Sequence, residues 1–329
     1  MPEEVSIIVV NWNGKEFLED CFQSLRGQTY RSFSVTLVDN GSTDGSLEFV
    51  YKRFPEVQVI ALMENRGFAG ANNFALRDLS TPYVALLNND AAAEPRWLAS
   101  LVEALEQTKE AGFAASKMLY YDRTDVIDRC GDGYTWAGTG LLRGRNEPAG
   151  HYSRREWVFG ACAGAALYRT SMLNDIGLFN EEFFLLYEDV DLSFRAQLKG
   201  YKCLYVPEAL VYHKGSGSLV HDSSISVYYG HRNLEWVYIQ NMPTLLILRT
   251  IFPHILYNIA AFCYFVMHGR GLGYLKAKRD AVIRFKGALK KRRQIQGSRK
   301  VDDSYIWSLL DRPALLRRLQ DRWDKKSLS

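Results

Sequence analysis

The sequence has no CxxC pair, no strong excess of charge of one sign, and no apolar segment near its start long enough for a signal peptide. Its five cysteines, Cys21, Cys130, Cys162, Cys203 and Cys263, are scattered and odd in number. That argues against a disulfide framework or a zinc knuckle and for a reducing compartment. A formal net charge of +4 identifies no partner by itself. Met-Pro-Glu-Glu opens directly onto a strand-like run without a basic leader, so a cytoplasmic rather than exported protein is expected. With 47% hydrophobic and 24% charged residues, the 329-residue chain is neither disordered nor a many-spanning membrane protein. It is long enough for one ordinary domain with a C-terminal extension.

What is present is alternation. Val5 to Val10 is a β-branched apolar run closed by Asn11-Trp12-Asn13-Gly14, and a helix-like stretch follows from Lys15 to about Arg26. Val35 to Val38 ends in Asp39-Asn40-Gly41-Ser42, after which Asp44 can cap a helix reaching Arg53. Val57 to Leu62 reads as a strand, Phe68 to Leu79 as a helix, and Tyr83 to Leu87 as a strand stopping at Asn88-Asn89-Asp90. This βαβαβαβ order predicts an α/β fold with a mainly parallel sheet covered on both faces, whose ligands bind at the carboxyl ends of strands. The polar clusters Asn11–Gly14, Asp39–Ser42 and Asn88–Asp90 fall at three such ends. From Tyr120 to Arg155 the pattern loosens into a Gly-rich, charged loop or hairpin across the crevice mouth. Regularity returns with Trp157 to Tyr168, a helix from Asp189 to Lys199 and a strand from Lys202 to Val206.

Each cluster has a chemical reading and a structural one. Asp39 can accept hydrogen bonds from a nucleotide while Gly41 admits close backbone approach; the same residues also make a turn and helix cap. The loop Asn65-Arg66-Gly67, with Asn72 beyond it, can meet a diphosphate through backbone amides and Arg66, or serve helix packing. Asn88, Asn89 and Asp90 offer oxygen ligands to Mg2+ or Mn2+, or form a turn. In Glu188-Asp189-Val190-Asp191, Asp191 suits the helix dipole, whereas Glu188 and Asp189 can supply a general base beside an apolar wall of Phe183, Phe184 and Tyr187. His213, followed by Lys214-Gly215-Ser216-Gly217-Ser218, is a metal ligand with a lid over phosphate or a structural histidine.

The segments VSIIVVNWNG, LVDNGSTDGS, ENRGFAGANN, YVALLNND, YEDVDLSFR and VYHKGSGS follow one another from Val5 to Ser218. In that order they resemble family 2 glycosyltransferases, particularly the bacterial rhamnosyltransferase-like branch, over roughly Val5 to Arg232. The resemblance implies a GT-A fold over residues 1–232 and an inverting transfer from a nucleotide diphosphate sugar, with dTDP-rhamnose favoured. It implies a donor site of Asn11, Asn13, Asp39, Asn40, Gly41, Asn65, Arg66, Gly67, Asn72, Asn88, Asn89 and Lys214. Asp90 and His213 would hold Mg2+ or Mn2+, Asp189 would be the base, and Glu188 and Trp157 would meet the acceptor. Asn88 stands where many relatives carry Asp, which leaves Asp90 as the one carboxylate of the DxD-type motif.

Residues 233–329 differ in kind. Thr244 to Met267 is apolar but interrupted by Arg249, Pro253, His254 and Asn258, which is poor for a simple membrane span. A basic run from Arg270 to Arg293 follows, with Asp280 its only acid. The pairing predicts a helical, peripheral attachment to the inner face of the cell membrane, near a polyprenyl-linked glycan acceptor; a buried helix beside a solvated basic one is the alternative. Aromatics are sparse in the basic run, only Tyr274 and Phe285, so nucleic acid is not expected as a partner. Association into a homo-oligomer stays open. A nucleotidyltransferase, or a non-catalytic nucleotide- or carbohydrate-binding scaffold, is the competing reading.

Overall fold

The protein is described by a computed structural model covering residues 4–215 and 223–311. In chain order the first half contains β1 (Val5–Asn11), α1 (Lys15–Arg26), β2 (Phe33–Asp39), α2 (Ser46–Arg53), β3 (Gln58–Ala61), α3 (Gly67–Leu76), β4 (Tyr83–Asn88), β5 (Ala91–Ala93) and α4 (Trp97–Gln107). There follow β6 (Ala111–Tyr120), β7 (Ile127–Cys130), β8 (Asp132–Thr135), β9 (Gly140–Leu142), β10 (Glu156–Val158), β11 (Ala165–Arg169), α5 (Thr170–Ile176), α6 (Glu188–Leu198) and β12 (Lys202–His213). The remainder is α7 (Ser224–Asn241), α8 (Thr244–Met267), α9 (Gly271–Ile283), α10 (Phe285–Gly297), α11 (Asp303–Leu309) and β13 (Leu310–Asp311).

The main sheet runs β10-β12-β6-β11-β4-β1-β2-β3. Strands β1 to β4 are mutually parallel where they pair, as the alternating pattern predicts. The other half is mixed, because β11 enters antiparallel between β4 and β6. Central strands carry apolar residues on both faces, and Val5, Ile7, Ile8 and Val9 are all buried. One face is covered by α1, which buries Leu18, Cys21, Phe22 and Leu25 at helical spacing, and by α4 around Trp97. The opposite face packs on α3, α5 and α6.

The structure refines three sequence expectations. From Tyr120 to Arg155 the hairpin alternative holds, with β8 antiparallel to β9, and β7 before them pairs with β6. The strand read as Lys202 to Val206 continues through a register shift to His213. The expected boundary at 232 falls inside α7, which runs on to Asn241.

The helices after β12 pack by α7 against α9 and α10, with α8 on α9. Their polar centre is Glu235 on α7, which accepts from His254 of α8 at 3.1 Å and from Lys278 of α9 at 2.5 Å. Along α8, Leu245, Leu248, Phe252, Ile255, Leu256 and Ile259 are exposed. That spacing makes one apolar face directed away from the protein. The helix is long and apolar enough to cross a membrane, and only 28% of its most apolar 18-residue window is buried.

Burial raises the Glu235 carboxyl, but His254 and Lys278 outweigh it and hold the group at about 2 against an ordinary value of 4.5. A depressed carboxylate stabilises the fold above its unfolded value and loses that contribution as pH falls toward its folded value. Acid titration followed by circular dichroism should therefore show about 2–3 kcal/mol of stability lost between pH 4.5 and 2 from this one group, and Glu235→Gln should flatten the slope.

Candidate active site at the carboxyl edge of the sheet

Registers bring the polar strand ends together. Asn11 is opposite Asp39, and Val10 is opposite Asn88. A relay of side chains crosses the three strands: Asn89 donates to Asn11 at 2.7 Å, and Asn11 donates to Asp39 at 3.2 Å. Asp39 also accepts from the Ser42 backbone, while the Asn13 carboxamide oxygen accepts from the Thr43 backbone. Asp39 is 1% exposed and Asn40 2%, so their present contacts are within the protein. Asn40 ties to the next loop, accepting from Arg66 N–H and donating to Asn65.

His213 reaches this edge through β-pairing. Immediately after Asp90, β5 turns antiparallel onto the end of β12, setting Ala91 opposite His213, and Lys214 N–H donates to the Asp90 carbonyl at 2.9 Å. The His213 Nε2 lies 3.3 Å from Asp90 Oδ1, and its Nδ1 lies 2.9 Å from Asp128 Oδ2. Asn88 Nδ2 is 3.4 Å from the same Nε2. Burial pulls the ring's pKa down, but Asp128 and Asp90 outweigh it and push it up to about 9. Asp128 is held well below the usual carboxylate range by His213, Arg129 and Arg145, against its own burial.

Among the described residues no group of three or more His, Cys, Asp or Glu side chains is arranged to hold a metal. The Asp90 and His213 pair nevertheless fits a divalent cation. Two ligands about 2.1 Å from one ion and at right angles stand about 3 Å apart, close to the 3.3 Å observed. Asp128 fixes the opposite ring nitrogen, as a supporting carboxylate does for a ligating histidine. Two protein ligands leave positions for phosphate oxygens, and a cation would replace the Nε2 proton, so its affinity would rise with pH.

The acidic end of α6 joins the same cluster. Asp189 accepts from the backbone N–H groups of Val190, at 2.8 Å, and of Ala163. Next to Ala163, the Gly164 carbonyl accepts from Asn88 N–H at 2.9 Å, so residues 163–164 bridge the base candidate to the metal candidates. Arg129 closes the circuit, its charge acting on Asp128, Glu188 and Asp189. Burial raises the Asp189 carboxyl, with Arg129 and the backbone amides opposing. Burial and the Asp189 charge push Glu188 well above the carboxylate range, and its Oε2 has no hydrogen-bond partner. Both carboxyls are thus biased toward the protonated form, and two buried charges side by side are disfavoured.

The approach to Asp189 is strained. Phe184, Leu186 and Tyr187 all have left-handed backbone, with φ of 65°, 65° and 71°. Phe184 centres a γ-turn closed by Leu185 N–H on the Phe183 carbonyl at 2.7 Å. Each such residue costs about 1–3 kcal/mol, so the turn depends on bonds from elsewhere. Gly67 makes room for it: a β-carbon there would lie 2.3 Å from the Phe184 carbonyl oxygen.

Several expected site residues have other partners. Trp157 on β10 is opposite Leu204, with Lys202 over its ring. Leu204 aligns with Ala114 of β6 and His213 with Tyr120, a separation of six residues, or about 20 Å along the strand. Trp157 is thus at the far end of the sheet, which corrects its assignment to the acceptor. Asn72 is 1% exposed, and its amide donates to the Phe68 carbonyl within α3. The close approach that Gly41 permits is to the backbone of Glu64, 3.0 Å from the position of a β-carbon. Arg66 pairs with Glu64, and Lys214 Nζ sits 2.7 Å from Asp20 over the Tyr121 ring. Ser216, Gly217 and Ser218 of the expected lid lie outside the described residues. Sequence reasoning missed Asp128, Arg129 and Ala163, which carry no motif and lie in short or irregular segments.

Known proteins resemble this chain in sequence and in fold. The family model for glycosyl transferase family 2 matches residues 6–177. The chain is 26% identical over 258 residues to N-acetylglucosaminyl-diphospho-decaprenol L-rhamnosyltransferase of Mycobacterium tuberculosis, covering 71% of this chain and 83% of the relative. It is 21% identical to poly-beta-1,6-N-acetyl-D-glucosamine synthase of Staphylococcus aureus, covering 63% of this chain and 49% of that protein. In fold it resembles a mannosyltransferase of Pyrobaculum calidifontis in complex with GDP-Man and Mn2+, with a TM-score of 0.55, 16% identity and coverage of 99% and 88% of the two chains. The corresponding values for GalNAc-T7 with UDP, GalNAc and Mn2+ are 0.56 and 16%, covering 73% of this chain and 48% of that one.

Asp128→Ala removes the acceptor that orients His213 while leaving Asp90 and His213 in place. Titration with Mn2+ should show affinity weakened by about 10- to 100-fold; unchanged affinity would separate Asp128 from cation binding.

Proposed function

This chain belongs to glycosyl transferase family 2, and from that premise we propose an inverting transfer of a sugar, rhamnose from dTDP-rhamnose, onto a lipid-linked glycan at a membrane surface. The observation that carries the reading is that Asp90 and His213 stand 3.3 Å apart, while Arg129 acts both on Asp128, the partner of His213, and on Asp189. A binding scaffold has no use for a desolvated pair of carboxyls at the start of a helix. A nucleotidyltransferase would want a basic phosphate-gripping motif after β1, where Lys15 stands alone.

Asp90 and His213 would hold Mg2+ or Mn2+, which when bound supplies positive charge to the leaving diphosphate. Asp189 accepts the proton of an acceptor hydroxyl as its oxygen forms a bond to the anomeric carbon. The bond from that carbon to the diphosphate oxygen breaks on the opposite face, and its electron pair leaves with the nucleotide. The raised position of the Asp189 carboxyl suits proton uptake better than an ordinary aspartate would. Glu188, whose burial favours its protonated form, can donate a hydrogen bond to the acceptor. The nucleotide falls to the relay of Asn89, Asn11 and Asp39 with the loops of Asn13, Gly41 and Asn65.

Rhamnose and a polyprenyl carrier are supported by the name of the mycobacterial relative, and a divalent cation by the Mn2+ complexes among the structural neighbours. Attachment to the inner membrane face is supported by the exposed apolar face of α8 beside the basic α9 and α10. The half-helix before Pro253 and the half after it both expose apolar residues, which suits lying along a bilayer.

Two experiments test the reading. Across a panel of nucleotide sugars with Mn2+, dTDP-rhamnose should give the highest turnover, and Asp189→Asn should lower kcat about 100- to 10,000-fold with nucleotide binding retained; full activity of the variant would end the base assignment. In flotation with vesicles containing anionic lipid, the protein should rise with the vesicles, and Leu248→Glu with Phe252→Glu should keep it in the soluble fraction.

A further inference from the structure

The strained turn before Asp189 is held by side chains of α7. Asn233, fully buried on α7, donates its carboxamide N–H groups to the carbonyls of Phe183, Leu185 and Leu186 at 2.9, 2.9 and 2.7 Å. Arg232, also buried, donates from Nη2 to the carbonyls of Glu182 and Phe183 at 2.7 and 3.1 Å. The Arg232 Nε donates to Asn233 Oδ1 at 2.9 Å. A guanidinium only donates, so that bond fixes which end of the Asn233 amide faces the turn. Between them the two side chains meet four successive or near-successive carbonyls, of Glu182, Phe183, Leu185 and Leu186. The bonds of both side chains to the turn end on backbone that leads directly into Glu188 and Asp189.

We propose that Asn233, oriented by Arg232, is a positioning residue that holds the turn at residues 183–187 so that Asp189 faces the acceptor. The proposal rests on the reading of Asp189 as the base. Three left-handed residues in four are unfavourable in a free chain, and the turn relaxes toward ordinary backbone when its carbonyls lose their donors. Relaxation by residues 184–187 displaces the start of α6, and with it the base, while the nucleotide edge at Asn11, Asp39 and Asn89 is untouched. The expected signature is a loss in turnover without a loss in donor affinity. A displacement near 1 Å costs about a hundredfold in rate.

Asn233→Ala should lower kcat by about 10- to 100-fold with donor KM and nucleotide binding within about twofold of the parent. Arg232→Lys, which keeps the charge but loses the fork, should give a smaller loss of the same kind and is read in the same way where Asn233→Ala does not fold. Added to Asp189→Asn, Asn233→Ala should lower turnover no further. The proposal is overturned by unchanged kcat in both variants, by a fall in nucleotide binding as large as the fall in kcat, or by additive losses in the double variant. Retained activity in Asp189→Asn strikes at the base assignment instead; an inactive Asp189→Asn beside a fully active Asn233→Ala strikes at the positioning alone.

Discussion

The pairing of Ala91 with His213 is the constraint from which the site follows. It turns the chain at Asp90 onto the end of β12 and leaves carboxylate and imidazole 3.3 Å apart. Asp128 arrives from β7, and the next residue, Arg129, extends the cluster to the acidic start of α6. None of these contacts is local. Each uses the register of a sheet to deliver a side chain whose neighbours in sequence are elsewhere, which is how α/β folds gather chemistry at strand ends.

Much of this was legible. The bounds expected for α1 and for the long apolar helix agree with Lys15–Arg26 and Thr244–Met267, because both have clear periodicity or composition and distinct ends. The parallel half of the sheet was readable since buried central strands are continuous apolar runs. The antiparallel entry of β11 was not, as strand direction leaves no mark on a five-residue apolar segment. Trp157 was misplaced for the same reason: it belongs to a regular strand, but only the register with β12 reveals which end of the sheet it occupies. Asp128 and Arg129 were hidden in a four-residue strand, too short for a period to show.

The motifs were more reliable as a set of neighbours than as a set of ligand contacts. Asp39, Asn40 and Gly67 are where the pattern places them, yet their side chains or missing side chains serve loop-to-loop bonds. Such residues shape a pocket by fixing backbone, and a polar side chain that is 1% or 2% exposed acts through what it holds. The sheet-bearing part and the helices after β12 are similarly joined, since α7 packs on α6 as well as on α9 and α10.

The wide sequence separation between Asp90 and His213 also orders events during synthesis. A nascent chain that has emerged as far as β6 can assemble the parallel strands from contacts close in sequence, but β12 and its histidine are still to come. Long-range strand pairing forms slowly compared with local structure. The growing polypeptide thus completes the loops at the ends of β1, β2 and β4 well before β12 can bring His213 beside Asp90, so an incomplete chain released from the ribosome carries one half of the cluster without the other.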